Sequence, residues 1–326
     1  MKNIALILFI AAELCYYLLI AQTGVVEYFA SDLFKIGFLP VGGVVGCILS
    51  TYLPLPHKLK INIFLFLQLL LTFFYPDFNA VTLFSLGLCV GALAPLIIDT
   101  LKYSNKLQLG LSLAISYTIG TLLFNYTPAN REYIGIFLSF IAFTSSLFLN
   151  NQESKNKKHF IKEFSSGGLL IMILWVFLDS ALFETLSRDI TIPIWRGGFS
   201  FEIILFHILG VIAAIAYKIE NNQKDLLIIT LFALSYFFYF LREPILLSIV
   251  YPFVISYYNV VILQNLIKIK SIKRIGVYMV FIGWIASGGG LIVALEELTI
   301  FIPLIFLIVL LRVITIQNTK KESYYV

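Results

Sequence analysis

The chain has 326 residues, of which 60% are hydrophobic and 13% charged, and its formal net charge is +5. A soluble chain of this length would carry roughly 25% charged residues, so a large aqueous domain is excluded and the bilayer is the expected solvent. Lipid leaves backbone polar groups without partners, so spans must be helices or a closed barrel. The apolar runs are unbroken rather than alternating, which selects helices.

The first predicted span covers residues 3–22, followed by an outer loop with Gly24, Glu27, Ser31 and Asp32. The second, residues 33–53, carries Pro40, Gly42, Gly43 and Gly46, small residues that let a neighbouring helix approach closely. The turn 54–60 leads to a third span that ends at Tyr75-Pro76-Asp77. The fourth, residues 80–101, contains Gly87, Gly91 and Pro95, and the fifth runs over 107–124. Pro128 and Arg131 form an outer loop before the sixth, which begins near Tyr133. Residues 150–166 are the longest polar interruption and read as a charged linker. The seventh span covers 168–186, and its outer loop holds Arg188, Asp189, Trp195 and Arg196. Spans eight and nine begin near Phe199 and Asp225, and the tight outer turn Arg242-Glu243-Pro244 enters the tenth. The eleventh contains Gly288, Gly289 and Gly290, and Glu296-Glu297 turns into the twelfth.

A shift near 166 residues brings the first six apolar segments into step with the last six. The expected fold is therefore an all-α polytopic membrane protein of 12 transmembrane helices in two six-helix pseudo-repeats. Residues 1–150 form the first bundle, 151–165 a cytoplasmic linker and 166–326 the second bundle. With the N-terminus inside, 18 of the 23 Lys and Arg fall on cytoplasmic loops. That bias fits the positive-inside rule with both termini in the cytoplasm. A bacterial inner membrane is the expected location. The basic linker is expected to meet solvent and anionic lipid head groups rather than nucleic acid. Cys15, Cys47 and Cys89 lie inside predicted spans without paired spacing and read as packing residues.

Two six-helix halves joined by a basic loop, with Gly87-Leu-Cys-Val-Gly91-Ala-Leu-Ala-Pro95 in the fourth span, resemble the major facilitator superfamily of transporters. The loop 54–60 carries no acid where that superfamily has Gly, Asp and a pair of Arg, and the fifth span lacks the Gly-Pro end of the antiporter motif. The resemblance implies alternating access between the halves, with the first and seventh helices lining a central cavity.

Ionisable groups at mid-membrane depth are functional candidates by default. Glu13 lies midway along the first span, with Tyr16 and Tyr17 one turn on. Asp179 lies midway along the seventh, 166 residues from Glu13. Carboxylates surrounded by hydrocarbon are candidates for proton exchange near neutral pH. The alternative is a pair of buried acids hydrogen-bonded for packing. Glu202 and His207 in the eighth span could form a proton relay, or His207 could simply be satisfied by a neighbour. Glu184 is expected near the outer mouth, where either interfacial solvation or a functional role would account for it, and Asp99 is expected in a helix-end ion pair with Lys102. Tyr117, Tyr236 and Tyr239 are further pocket candidates. Gly288, Gly289 and Gly290 could break the eleventh helix and expose carbonyls to a solute, or could allow tight packing without a break.

His57, His159 and His207 have no metal-ligand spacing, and no Gly-rich loop with Lys supports nucleotide hydrolysis. The expected function is secondary active transport of a small neutral, amphipathic or cationic solute, coupled to protons, with no cofactor or metal and no enzymatic activity. The alternative is a polytopic membrane protein that does not transport, either a lipid-modifying enzyme or a structural subunit.

Overall fold

The computed structural model describes residues 2–30, 32–149, 166–217 and 219–308. The described residues form helices joined by short turns, with no strand among them. Helix α1 (Lys2–Tyr16) continues through a π turn (Tyr17–Gln22) into α2 (Thr23–Tyr28), making one rod. The remaining helices are α3 (Leu33–Tyr52), α4 (His57–Thr72), α5 (Ala80–Leu101), α6 (Lys106–Leu123), α7 (Glu132–Leu147), α8 (Ser166–Arg188), α9 (Ser200–Ala216), α10 (Asn221–Phe240) and α11 (Pro244–Leu266). A last rod joins α12 (Ile272–Met279), a π turn (Val280–Ala286) and α13 (Ser287–Leu295). The predicted linker and the end of the twelfth predicted span lie outside the described residues.

Seven helices are long and apolar enough to cross a membrane: the first rod, α3, α5, α8, α10, α11 and the last rod. That number is of the described residues. It places the chain among helical membrane proteins, because only helices satisfy their own backbone in lipid. The first rod outruns its prediction and extends to Tyr28, so Gly24 and Glu27 are helical rather than in a loop. The sequence boundary at Gln22 followed the polar residue; the backbone instead widens into a π turn there and continues.

Helix starts follow local chemistry. Asn79 accepts from the Thr82 amide while Thr82 Oγ1 accepts from the Asn79 amide, and Asn105 and Gln108 repeat the arrangement at α6. Each pair satisfies two backbone donors that a helix start leaves open. Asp32 caps α3 through the Lys35 amide.

The closest helix pair is α3 with α5. A Cβ added at Gly42 would land on the Phe84 carbonyl oxygen, and one at Gly87 on the Leu39 carbonyl oxygen. The two backbones therefore touch, which only the absence of side chains permits. Gly210 packs in the same manner on the Phe253 carbonyl of α11.

The glycine run Gly288, Gly289 and Gly290 does not break its helix. Helix α13 passes through all three, and the departure from α geometry is the π turn just before it. Gly290 packs on α8, where its Cβ would lie 2.6 Å from the Ala181 nitrogen. The helix passes unbroken through the run, and of the three only Gly290 is closely packed.

Candidate functional site: a central cavity with two acids

The first rod, α5, α6, α8, α9, α11 and the π turn of the last rod enclose a cavity of about 310 Å³. That lies at the low end of the range for small-ligand sites. Glu13, Tyr17, Asp179 and His207 line it, as does Tyr117. The cavity thus brings together four of the six polar residues singled out from the sequence.

Glu13 is buried in α1, and Gln68 of α4 donates its Nε2 to Glu13 Oε2 at 2.8 Å. The second amide atom, Gln68 Oε1, is buried without a partner among the described residues. Asp179 of α8 is held by two phenols from α11: Tyr251 donates to Oδ1 at 2.8 Å and Tyr258 to Oδ2 at 2.5 Å. These tyrosines are seven residues apart, two turns along one face of a helix with 3.6 residues per turn. His207 has Nδ1 at 2.6 Å from Ser256 Oγ, and its ring stacks flat on Tyr117 with centroids 4.4 Å apart. Asn259 Nδ2 donates to the Tyr117 hydroxyl at 3.0 Å.

Two of the sequence candidates lie elsewhere. Tyr16 is buried, but its hydroxyl pairs with Thr72 Oγ1 of α4 at 2.7 Å, on the side away from Tyr17. Tyr16 and Tyr17 flank the Glu13 direction on opposite sides, at about −60° and +40° around the helix, and only Tyr17 lines the cavity. Glu202 sits in the first turn of α9, partly exposed, and does not line the cavity. No Glu202–His207 relay is formed. Among the further tyrosines, Tyr236 donates to the Leu178 carbonyl at 2.7 Å, and neither it nor Tyr239 reaches the cavity.

One end of the cavity is closed by aromatic rings. Trp195, from the α8–α9 connection, packs against Phe124, Phe183 and Tyr251 with centroids 4.9 to 6.0 Å away. Beside this plug, Arg196 donates to Glu27 Oε2 at 2.8 Å and Gln22 Nε2 to Glu184 Oε1 at 3.1 Å. These contacts tie the first rod to α8 and its following loop. Glu184 is 1% exposed, so interfacial solvation does not account for it. Its partners are Gln22 and Arg188, the latter 3.7 Å away. The Asp99–Lys102 pair forms at 2.7 Å, with His57 Nδ1 also 3.5 Å from Asp99.

Arg131 lies in the connection between α6 and α7, as its place in an outer loop predicts, and it is fully buried there. Its guanidinium donates to the carbonyls of Tyr126, Phe124 and Leu19 and to Thr23 Oγ1, stapling the α6–α7 connection to the first rod. Burial draws its pKa below the ordinary value, opposed by Glu27 and Tyr75 nearby. Cys15, Cys47 and Cys89 are buried free thiols, as packing residues would be. The sequence matches no protein-family model and no curated protein.

Proposed function

We propose that the chain is a secondary active transporter that moves a small neutral, amphipathic or cationic solute by alternating access, with proton coupling. The observation that carries this reading is that Glu13 and Asp179, 166 residues apart in sequence, line one cavity. Intramembrane carboxylates facing a cavity mark solute or proton paths more often than packing sites.

The pattern of helix contacts supports two equivalent halves. Helix α3 packs along α5 as α9 packs along α11, and α1 packs on α6 as α8 packs on α13. Between the sequence halves, α3 meets α12 and α6 meets α9. Each of these contacts is matched by another of them under the 166-residue shift. On this reading the chain has twelve spans in two six-helix bundles, 1–150 and 166–326, in a bacterial inner membrane with both termini cytoplasmic.

The residues suggest how a proton would be handled. Gln68 presents a donor and an acceptor side by side. Its NH₂ serves an ionised Glu13, and its partnerless carbonyl oxygen can accept from a protonated one. Glu13 is therefore hydrogen-bonded in either state without a large rearrangement. Asp179 is fixed on both oxygens and serves as the anchor opposite. The Trp195 plug and the Glu27–Arg196 pair would part when the cavity opens at that end. Solute uptake into liposomes carrying the purified protein, with and without an imposed pH gradient, tests the reading. Uptake that follows the gradient is expected, and gradient-independent uptake would remove the coupling.

A further inference from the structure

We infer that the solute this cavity takes is an organic monocation with a flat apolar body. The inference rests on the transporter reading for its physiological meaning, but its evidence is the charge and shape of the cavity.

Among the described residues, three acids near the cavity or at helix ends have basic partners. Asp99 has Lys102 at 2.7 Å, Glu27 has Arg196 at 2.8 Å, and Glu184 has Arg188 at 3.7 Å. Glu13 and Asp179 differ. Their hydrogen-bond partners are neutral, an amide and two phenols, and no Lys or Arg lines the cavity. An ionised carboxylate left without a counter-charge in such surroundings costs several kcal/mol. A cationic solute supplies that counter-charge; an anionic one would meet two acids and no base.

Asp179 has room for such a ligand. A carboxylate offers about four acceptor sites, and Tyr251 and Tyr258 occupy one on each oxygen. The walls also suit a cation. Tyr17 and Trp284 meet edge to face at 6.4 Å, and with Tyr117 and Tyr258 they surround the acids with rings. Aromatic faces attract ammonium groups and stack on flat apolar bodies. Leu, Ile, Val and Phe are the largest share of the remaining lining, interspersed with hydroxyls and amides such as Ser116, Thr121, Gln22 and Asn259. The volume of about 310 Å³ suits a body of one or two rings.

The test is calorimetric binding to the full chain in detergent, using series matched in shape and differing in charge. One series is benzylammonium, benzyl alcohol and benzoate; the other is naphthylmethylammonium, naphthylmethanol and naphthoate. The ammonium member is expected to bind at least about tenfold tighter than its alcohol, as a charge-assisted hydrogen bond to Asp179 implies. The carboxylate should bind weakest, and Asp179→Asn should erase the ammonium–alcohol difference. The wild-type ranking alone decides the inference if that variant does not fold. Equal or tighter binding of alcohol or carboxylate would overturn it and leave the transporter reading intact. Binding by no member, in protein that still carries another solute into liposomes, would do the same. Binding by none and transport of none would remove both.

Discussion

Gln68 of α4 reaches Glu13 of α1 with its amide nitrogen 2.8 Å from Oε2, while its own carbonyl oxygen is buried without a partner among the described residues. This is an unusual state for a buried amide, since buried polar atoms nearly always find partners. It gives Glu13 a neighbour that can serve two protonation states. Gln68→Leu should therefore lower solute-dependent proton flux more than Gln68→Asn does. A Leu variant with unchanged flux would show that Gln68 is a packing residue.

Tyr258 and Asp179 are coupled through a charge-assisted hydrogen bond, a class worth about 1.5–3 kcal/mol. Tyr258→Phe and Asp179→Asn should each lower stability in detergent, and together they should cost less than the sum. An interaction term of about 1 kcal/mol or more is expected from a double-mutant cycle by denaturant unfolding. Strict additivity would mean that the two side chains do not share a bond.

The α3–α5 contact tolerates no side chain. Gly87→Ala places a methyl on the Leu39 carbonyl oxygen, so the variant should lose monodisperse, folded protein on size exclusion. Gly288 has nothing within 4 Å of its would-be Cβ. Gly288→Ala should therefore be neutral or stabilising by up to about 1 kcal/mol, from helix propensity alone. Similar behaviour of the two variants would contradict the packing described.

Arg131 holds three carbonyls and one hydroxyl with a single guanidinium. Arg131→Met leaves those four acceptors short of donors and should destabilise by about 3 kcal/mol or more, given about 1–3 kcal/mol per stranded buried group. Arg131→Lys keeps the charge but not the fork and should recover less than half of the loss. Thermal unfolding in detergent measures both, and a wild-type midpoint in the Lys variant would argue against the fork.

The parts of the fold legible in the sequence are those that lipid dictates. Spans such as residues 33–53 and 80–101 stand out because a bilayer demands unbroken apolar length, and Gly42 and Gly46 announced a close helix neighbour. Glu13 and Asp179 were legible because charge inside an apolar run is costly enough to be conspicuous. Their partners were not. Gln68, Tyr251 and Tyr258 are neutral residues within apolar helices, and nothing local says which neighbour each will face. The seven-residue spacing of Tyr251 and Tyr258 put both on one face of α11, and read with Asp179 it was the available signal. The burial of Arg131 was not legible, because a charge at a span's end normally reaches water and only the folded chain shows four acceptors converging on it. Glu202 failed as a candidate for the converse reason: it lies at a helix start, where solvent already reaches it.

If Glu13 and Asp179 serve one transport path, as proposed, proton movement reports it most directly. Liposomes carrying the full chain should show proton flux on addition of a transported solute, and Glu13→Gln or Asp179→Asn should abolish it. Solute flux that survives in both variants, with proton movement unchanged, would contradict the account and make the two acids packing residues.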